Sequence, residues 1–247
     1  MKYVIVLPYA YGPYVTECLE TLDINIIENC VAIDNTDTSP HENFGVAGTW
    51  NLGIDRLREV DGDWLVVMSA AMRFRDGGQS MIDWLEQRQV QDYLIHFAKA
   101  DFPEQQWERG RSVGIEAGNF VWHLTAISRE AIENVGKFDT GFFPVYFEDV
   151  DYDLRVKKIY GDKQGWSILP IDAYSKSLRH GVELGGVKSY GEPLAAYFRR
   201  KWGKDAGSKY EEYWDHPFND QTKSLSYFPL PDDPLSIYNN ELKDYDV

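Results

Sequence analysis

Four acidic side chains are concentrated in the middle of the sequence, directly after a run of aromatic residues. Glu148, Asp149, Asp151 and Asp153 follow residues 142–147, which read FFPVYF. A carboxylate in an apolar setting has a raised pKa, which suits a general base that takes a proton from a hydroxyl. Acidic residues are also common in the first turn of a helix, where they interact with exposed N–H groups and the helix dipole. The residue types alone leave both interpretations open.

The charge balance of the chain restricts its partners. The 247 residues include 40 acidic and 25 basic side chains, a formal net charge of −15. Nucleic-acid binders usually present a basic face that releases counterions from phosphates, so DNA is not expected as a primary partner. With 43% hydrophobic and 15% aromatic residues, the chain is too apolar for a disordered acidic tail. We expect one large domain with a substantial core.

Two features predict a cytoplasmic protein without a transmembrane segment. No apolar run approaches the ~20 residues that a membrane helix requires. The N-terminus lacks the charged region, apolar stretch and cleavage site of a secretory signal. Cys18 and Cys30 are expected to be small buried side chains, because a zinc site needs more ligands at closer spacing.

The first half of the chain alternates strand and helix patterns, which must position any site. Apolar runs predict strands at residues 3–7, where Pro8 follows, and at 30–33 and 64–68. Helical patterns lie between them, an order typical of a largely parallel sheet with helices on both faces. Such sheets bind ligands beyond the carboxyl ends of their strands. Those ends are residues 8–11, 34–37 and 69–71.

The second half is less regular. Residues 93–98 and 120–127 predict strands, and Ser128 is expected to cap a short helix that Gly136 ends. Farther along, aromatic residues and prolines are interleaved with little helical periodicity, which predicts an arm that wraps the body or covers a site. Residues 197–203 (YFRRKWG) are its basic cluster. We interpret this cluster first as a packing helix with a solvated face and second as a donor-phosphate or acceptor loop.

Five blocks of the sequence, in order, resemble those of family 2 glycosyltransferases with the GT-A fold, particularly the rhamnosyltransferase-like branch. The blocks are residues 4–10 (VIVLPYA), 31–37 (VAIDNTD), 43–54 (NFGVAGTWNLGI), 135–139 with 146–151 (VGKFD with YFEDVD), and 177–180 (SLRH) with the glycines and serine that follow. Together they cover residues 3 to about 190. Five blocks in the expected order are far more specific than any one alone.

The resemblance implies an α/β GT-A (Rossmann-like) fold, with a mostly parallel central sheet and helices on both faces. Residues 1–190 would form the glycosyltransferase domain, with a nucleotide-binding half at 1–75 and an acceptor-side half at 76–190. Residues 191–247 would be an irregular, aromatic-rich C-terminal extension that packs on the domain.

The activity that the resemblance implies is transfer of a sugar from a nucleotide-diphosphate-sugar to a hydroxyl of a glycan, lipid-linked or protein acceptor. Asp149 would act as the base while the acceptor oxygen attacks the anomeric carbon, which inverts the configuration. Glu148 would position the acceptor or the sugar. Asp34 would contact the base or ribose, although by residue type alone it suits a turn that ends a strand. The implied donor-binding residues are Pro8, Tyr9, Asp34, Asn35, Gly45, Gly48, Asn51, Ser69, Ala70, Ala71 and Arg73.

One departure from the family bears on the cofactor. The family normally carries a D-x-D or N-x-D element after the third strand, whose carboxylate holds a divalent cation, but residues 68–72 read MSAAM. Mg²⁺ and Mn²⁺ prefer oxygen ligands, and Ser69 is a poor substitute for an acid. The resemblance also implies contacts to the acceptor or diphosphate from Asp151, Arg179 and His180, and His180 is the candidate metal ligand.

Several explanations of the missing acids remain open. The leaving diphosphate could be stabilised without metal, or a metal could bind weakly through Asp149, His180 and the diphosphate. Catalysis could also be lost in a nucleotide-sugar-binding protein, or the alanines could be an engineered inactivation. The basic candidates for the diphosphate are Arg73, Arg75, Lys176, Arg179 and His180. A nucleotidyltransferase is a further alternative, but residues 8–12 (PYAYG) poorly match the lysine-flanked, glycine-rich phosphate loop that it would need.

Overall fold

The computed structural model describes residues 1–35, 43–87, 93–99, 122–161, 166–176 and 191–202. Within these ranges the chain forms eight strands and seven helices. The strands are β1 (Tyr3–Tyr9), β2 (Cys30–Asp34), β3 (Trp64–Met68), β4 (Met72–Phe74), β5 (Leu94–Lys99), β6 (Leu124–Ser128), β7 (Trp166–Ile171) and β8 (Ala173–Ser175). The helices are α1 (Gly12–Leu19), α2 (Ile24–Ile27), α3 (Gly45–Glu59), α4 (Gln79–Gln87), α5 (Arg129–Val135), α6 (Glu148–Tyr160) and α7 (Gly191–Trp202).

Six strands form a central sheet in the order β2-β1-β3-β6-β5-β7. β1 runs parallel to both β2 and β3, and β5 runs parallel to β7. β6 is antiparallel to its neighbours β3 and β5. β4 and β8 form a separate antiparallel pair next to the end of β3. The sheet is therefore mainly parallel, as the sequence predicts.

The two faces of the sheet are covered by different helices because successive side chains on a strand point in opposite directions. On β1, Ile5 and Leu7 pack in one apolar cluster with side chains of α1, α2 and α4. Val4 and Val6 pack in the other cluster, with side chains of α3, α5 and α6. This arrangement confirms the prediction of helices on both faces.

The first strand is longer than the apolar pattern predicts. β1 continues through Pro8, which lies opposite Ile33 of β2. The pairing of β1 with β3 ends at Val6, so Pro8 pairs with β2 but not with β3. Proline lacks the N–H that a second ladder would use, and it is tolerated where a strand has an unpaired side.

The short helix after β6 begins and ends where the sequence predicts. The side chain of Ser128 accepts a hydrogen bond from the backbone N–H of Ala131. Gly136 follows the last residue of α5 with a φ of +87°, a conformation that favours glycine. The preceding strand begins later than predicted, at Leu124, because Trp122 has a φ of +58°.

The C-terminal extension begins with a helix, which corrects the prediction of an irregular arm from residue 191 onward. α7 packs on the domain through an apolar cluster shared with the chain before α6. The cluster contains Phe142, Phe143, Leu154, Leu194, Tyr197, Phe198 and Trp202. The packing-helix interpretation of the basic cluster holds for residues 197–202, but Lys201 is buried and does not lie on a solvated face. Residues 203–247 lie outside the described ranges.

Two smaller predictions concern the cysteines and the membrane. Cys18 is buried, Cys30 is half-buried, and both are free thiols. Burial raises the pKa of each thiol to about 12, as expected for inert side chains. Across the described ranges, none of the helices combines the length and the apolar character that crossing a bilayer requires.

Candidate functional site

The carboxyl ends of the three parallel strands β1, β2 and β3 lie along the same edge of the sheet, where ligands of open α/β folds bind. The register places Tyr9 of β1 directly opposite Asp34 of β2. Asp34 is exposed at the end of its strand. Burial, with help from the neighbouring Asp34 carboxylate, raises the pKa of Tyr9. An exposed carboxylate beside a tyrosine is therefore presented at this edge.

Asn35 organises the start of α3. Its side-chain amide donates to the Thr49 hydroxyl over 2.9 Å, and its side-chain oxygen accepts from the backbone N–H of Phe44 over 2.9 Å. Its backbone carbonyl accepts from the side chain of Asn43. The hydrogen bonds of Asn35 thus join the end of β2 to the first turn of α3.

Gly45, one of the implied donor-binding residues, lies in close contact with the segment before α6. Its φ is +63°, and a Cβ added there would lie 2.8 Å from the Phe143 ring and 2.9 Å from the Pro144 carbonyl oxygen. The next N–H, of Val46, donates to that same carbonyl over 2.8 Å. The glycine therefore lets the start of α3 contact the chain that leads into the acidic cluster.

Two other predicted residues serve contacts inside the domain. A Cβ on Gly48 would lie 3.2 Å from the Cβ of Phe44. The buried side chain of Asn51 donates to the Phe138 carbonyl over 2.9 Å and accepts from the Phe138 N–H over 2.7 Å. The glycine of α3 that approaches the first strand is Gly53, which the sequence analysis does not single out; a Cβ there would lie 2.7 Å from Val6.

The turn after β3 is held by its own backbone. The N–H of Ser69 donates to the His123 carbonyl over 2.7 Å, and the N–H of Met72 donates to the Ser69 carbonyl. The Ser69 hydroxyl accepts from the Ala71 N–H over 3.2 Å. Ala70 is buried beside Ala71. The side chains of this turn are thus one hydroxyl and two buried methyl groups.

Basic side chains lie next to this turn, and they form hydrogen bonds or ion pairs with acceptor groups of the protein. The buried guanidinium of Arg73 donates to the carbonyls of Ala70 and Met72 and, over 2.9 Å, to Glu17. The side chain of Lys176 pairs with the same Glu17 carboxylate, and the backbone N–H of Lys176 donates to the Ala71 carbonyl. Arg73 therefore braces the turn instead of pointing freely toward a diphosphate.

The described residues do not fit a divalent cation. Nowhere in the described ranges do three His, Cys, Asp or Glu side chains come close enough to hold a metal ion. At residues 69–71 the donors are a hydroxyl and backbone groups, next to a guanidinium that repels a cation. Arg179 and His180, the latter being the predicted metal ligand, lie outside the described residues.

The acidic pair begins α6 and follows two residues in an unusual conformation. Tyr146 and Phe147 have φ values of +98° and +70°, a region that costs free energy for residues other than glycine. Phe147 packs on Phe198 of α7, with ring centroids 5.5 Å apart. Tyr146 is exposed. The tertiary packing therefore sets the direction in which α6 begins.

Glu148 and Asp149 are neighbours in very different environments. Glu148 is only 4% exposed, and its Oε2 atom has no hydrogen-bond partner in the described part of the chain. Burial, and then the charge of Asp149, raise the pKa of Glu148 well above its ordinary value. Asp149 is half-buried and accepts from the Val150 N–H over 2.8 Å; burial raises its pKa as well. Glu148 and Asp149 are thus adjacent carboxyls of raised pKa that differ in exposure, and two carboxyls in unlike environments can take different acid and base roles.

The other two acids of the cluster point into the protein. Asp151 is fully buried, and ion pairs with Lys201 and Arg155 occupy its carboxylate. Burial alone would raise the pKa of Asp151, but these cations together hold it below its ordinary value. This environment favours a structural role over the expected contact with an acceptor or diphosphate. Asp153 accepts from the Trp122 indole over 3.1 Å, and burial raises its pKa to about 7.

Two polar residues near this edge are missed by the sequence analysis. His123 is half-buried and linked to Ser69 through its backbone, and burial lowers its pKa. Lys201 contacts the acidic cluster from α7. No ligand spacing distinguishes His123 in the sequence. Lys201 lies in the basic cluster that the analysis noted, but its buried partners only become visible in the fold.

Hydrogen bonds connect some of the predicted residues to α6 and to the segment before it. Asn35 holds the start of α3, which contacts Pro144 just before the acidic pair. Ser69 is bonded to His123, and the adjacent Trp122 is bonded to Asp153 of α6. The ends of β2 and β3 are therefore linked by hydrogen-bonded and adjacent residues to α6 and to the segment before it.

The chain has the GT-A fold, with a mainly parallel central sheet and helices on both of its faces. Among solved structures, the mannosyltransferase PcManGT from Pyrobaculum calidifontis, in complex with GDP-Man and Mn²⁺, is similar over 99% of this chain and 81% of its own, with a TM-score of 0.53 and 17% identity. Glucosyl-3-phosphoglycerate synthase from Mycobacterium tuberculosis, with Mn²⁺, UDP-glucose and glycerol 3-phosphate, is similar over 83% of this chain and 82% of its own, with a TM-score of 0.55 and 13% identity. No family model and no curated protein matches the sequence.

Proposed function

We propose that the protein is a family 2-like glycosyltransferase, which moves a sugar from a nucleotide-diphosphate-sugar to a hydroxyl acceptor with inversion. The observation that carries this proposal is the Glu148–Asp149 pair, two carboxyls of raised pKa in the first turn of α6. The similar structures with GDP-Man and UDP-glucose support the choice of donor.

Asp149 is the base in the proposed reaction. Its carboxylate takes the proton of the acceptor hydroxyl while the acceptor oxygen forms a bond to the anomeric carbon. The bond from that carbon to the diphosphate breaks on the opposite face, and the nucleoside diphosphate leaves with the bonding electron pair. A single displacement of this kind inverts the anomeric configuration. Glu148, whose pKa burial raises, positions the acceptor or the sugar.

The nucleotide occupies the ends of β1 and β2 in this proposal. The exposed carboxylate of Asp34 suits a ring N–H or two ribose hydroxyls. Tyr9 lies directly opposite on β1, and its ring offers a stacking surface next to Pro8. Asn35 and Gly45 contribute by holding the start of α3 in place.

The diphosphate lies next to the turn at residues 69–71, where the described side chains include no acid. Lys176 is half-exposed beside this turn, and its ammonium group, which pairs with Glu17 in the free protein, is a candidate contact for the diphosphate. Arg179 and His180 follow shortly in the sequence and complete the proposed set of positive groups. Because a dianionic diphosphate needs compensating charge, these residues take the role that a metal has in other members of the fold.

Replacing Asp149 by Asn tests the proposal. The expected result is loss of sugar transfer by about 100-fold or more, because the amide cannot accept the proton. Donor affinity, measured by thermal shift with UDP- and GDP-sugars, should stay within about twofold, because Asp149 is not placed at the nucleotide. Asp83→Asn, on the exposed face of α4, is the matched control and should transfer at the wild-type rate.

The outcomes separate enzyme from binding protein. Unchanged turnover in Asp149→Asn would remove Asp149 as the base. Stabilisation of the wild-type protein by a donor that it never turns over, with or without Mn²⁺, would instead identify a nucleotide-sugar-binding protein. No stabilisation by any donor would contradict the proposal as a whole.

A further inference from the structure

A buried lysine connects the C-terminal helix to the acidic first turn of α6. Lys201 lies near the end of α7 and is 2% exposed. Its Nζ atom is 2.6 Å from Asp139 Oδ2 and 2.6 Å from Asp151 Oδ1. Both carboxylates are fully buried. One ammonium group therefore bridges two acids that are distant from it in the sequence.

The two acids belong to the segments that frame the proposed base. Asp139 follows Phe138, whose backbone is held by α3, and it also accepts from the Tyr197 hydroxyl over 3.0 Å. Asp151 lies two residues after Asp149, and its N–H donates to the Phe147 carbonyl over 2.8 Å. Through Lys201, α7 therefore contacts both the chain before the acidic pair and the helical turn that carries the acidic pair.

A second α7 side chain acts on the same turn. The indole N–H of Trp202 donates to Asp151 Oδ1 over 2.8 Å. From within α6, the guanidinium of Arg155 donates to the other oxygen, Oδ2, over 2.9 Å. Asp151 is thus held from opposite sides, which fixes the position of its backbone more strictly than apolar packing would.

The choice of an ionic contact here is informative. Desolvation makes a buried ion pair a weak source of stability, and an apolar replacement of similar volume is often tolerated. The apolar cluster that contains Phe198 and Leu194 already attaches α7 to the domain. The ion pairs also fix the orientation of α7 relative to Asp139 and Asp151, because short hydrogen bonds to charged groups are directional.

We infer that Lys201 is a positioning residue: through its contacts with Asp139 and Asp151 it holds the first turn of α6, and with it Asp149, in the orientation that transfer requires. This inference rests on the proposed function. It also gives the C-terminal extension a part in the reaction, although α7 lies outside the domain that the sequence blocks define. A displacement of a reacting group by about 1 Å is enough to slow a reaction roughly 100-fold.

The test compares Lys201→Met with Lys201→Arg. In Lys201→Met we expect kcat to fall by about 10- to 100-fold, while the Kd of the donor and the KM of the acceptor stay near their wild-type values. Lys201→Arg, which can reach both carboxylates with its charge intact, should recover most of kcat. The matched control is Arg129→Met, which removes an ion pair of equal length (2.6 Å, to Asp61) before the start of β3, at the other edge of the sheet. That variant should keep the wild-type kcat.

Two further measurements keep the test decisive. Amide hydrogen exchange of residues 148–152, measured without substrate, should be faster in Lys201→Met and near wild type in Lys201→Arg. If Lys201→Met does not fold, the triple variant Lys201→Met/Asp139→Asn/Asp151→Asn removes the uncompensated charges together with the lysine. We expect this variant to fold and still to show the reduced kcat and the faster exchange.

The results distinguish failure of the inference from failure of the proposed function. Wild-type exchange at residues 148–152 together with wild-type kcat, in Lys201→Met or in the triple variant, would overturn the inference alone. A loss in Lys201→Met that Lys201→Arg does not recover at all would also overturn it, since the role would then not depend on the charge. Absence of transfer by the wild-type protein with every donor would overturn the proposed function.

Discussion

At the scale of single residues, the acidic cluster shows how four similar side chains acquire different states. Glu148 and Asp149 have raised pKa values because burial removes water from their carboxyl groups. Asp151 is more deeply buried than Asp149, yet its pKa is lowered because two cations contact it. The pKa of each acid is therefore decided by its burial and its charged partners and not by its place in the sequence. The same reasoning yields a test at the fourth acid.

Asp153 should make the stability of the protein depend on pH. Folding raises its pKa from an ordinary value of 3.8 to about 7, so the folded state binds the proton more tightly than the unfolded state. The contribution of Asp153 to the free energy of unfolding therefore decreases as pH rises from about 4 to about 7. Asp153→Asn removes this titration and can still accept from Trp122.

Urea unfolding of wild type and Asp153→Asn at two pH values measures the effect. The variant should gain stability relative to wild type on going from pH 5 to pH 8, by roughly 2 kcal/mol. Asp83→Asn, in an exposed position of α4, serves as the control and should show no such change. A difference between Asp153→Asn and wild type that is the same at both pH values would contradict the assigned burial effect.

At the scale of elements, the sequence of α7 contains an apolar pattern that predicts a helix. Leu194, Tyr197, Phe198 and Trp202 recur at helical spacing, and Pro193 lies in the first turn, where proline is tolerated. The prolines and aromatics beyond residue 203 obscured this pattern. The apolar runs predict β1, β2 and β3 because each run is followed by turn-forming residues, whereas the three-residue strand β4 is too short to give such a pattern. The antiparallel direction of β6 was not predictable, since both the direction and the order of strands in a sheet depend on contacts between distant segments.

A side chain of α3 links that helix to the segment before the acidic pair, and its removal should be costly. Asn51 makes two hydrogen bonds to the backbone of Phe138 in a buried setting. Asn51→Ala leaves a buried N–H and a buried carbonyl without partners. We expect the free energy of unfolding to fall by roughly 2–4 kcal/mol.

Chemical denaturation provides the measurement, and Asn29→Ala provides the comparison. The Asn29 side chain, just after α2, donates to the exposed Asn25 carbonyl and hydrogen-bonds Tyr3. Water can replace partners at such an exposed position, so its removal should cost less than Asn51→Ala, about 1 kcal/mol. Equal losses in the two variants would show that the contact between α3 and Phe138 does not stabilise the fold as described.

At the scale of the whole molecule, the net charge of −15 and the turn at residues 69–71 lead to one prediction about the donor. An acidic protein must attract a dianionic diphosphate through local positive groups, since its overall field repels anions. The described part of that turn supplies no acid for a bridging cation. Donor binding should therefore persist after metal removal and should weaken as salt screens the basic groups.

Thermal shift with UDP- and GDP-sugars tests both halves of this prediction. Protein treated with EDTA should be stabilised by its donor about as much as protein supplied with Mn²⁺, since stabilisation follows the ratio of ligand concentration to Kd. Raising the salt from about 0.05 to 0.5 M shortens the screening length, so the shift should shrink for the nucleotide-sugar and much less for the uncharged nucleoside. Lys176→Met should reduce the shift for the nucleotide-sugar alone, because Lys176 lies beside the turn at Ala71. A donor shift that appears only with Mn²⁺ would instead favour the weak-metal alternative, with His180 as the residue to replace next.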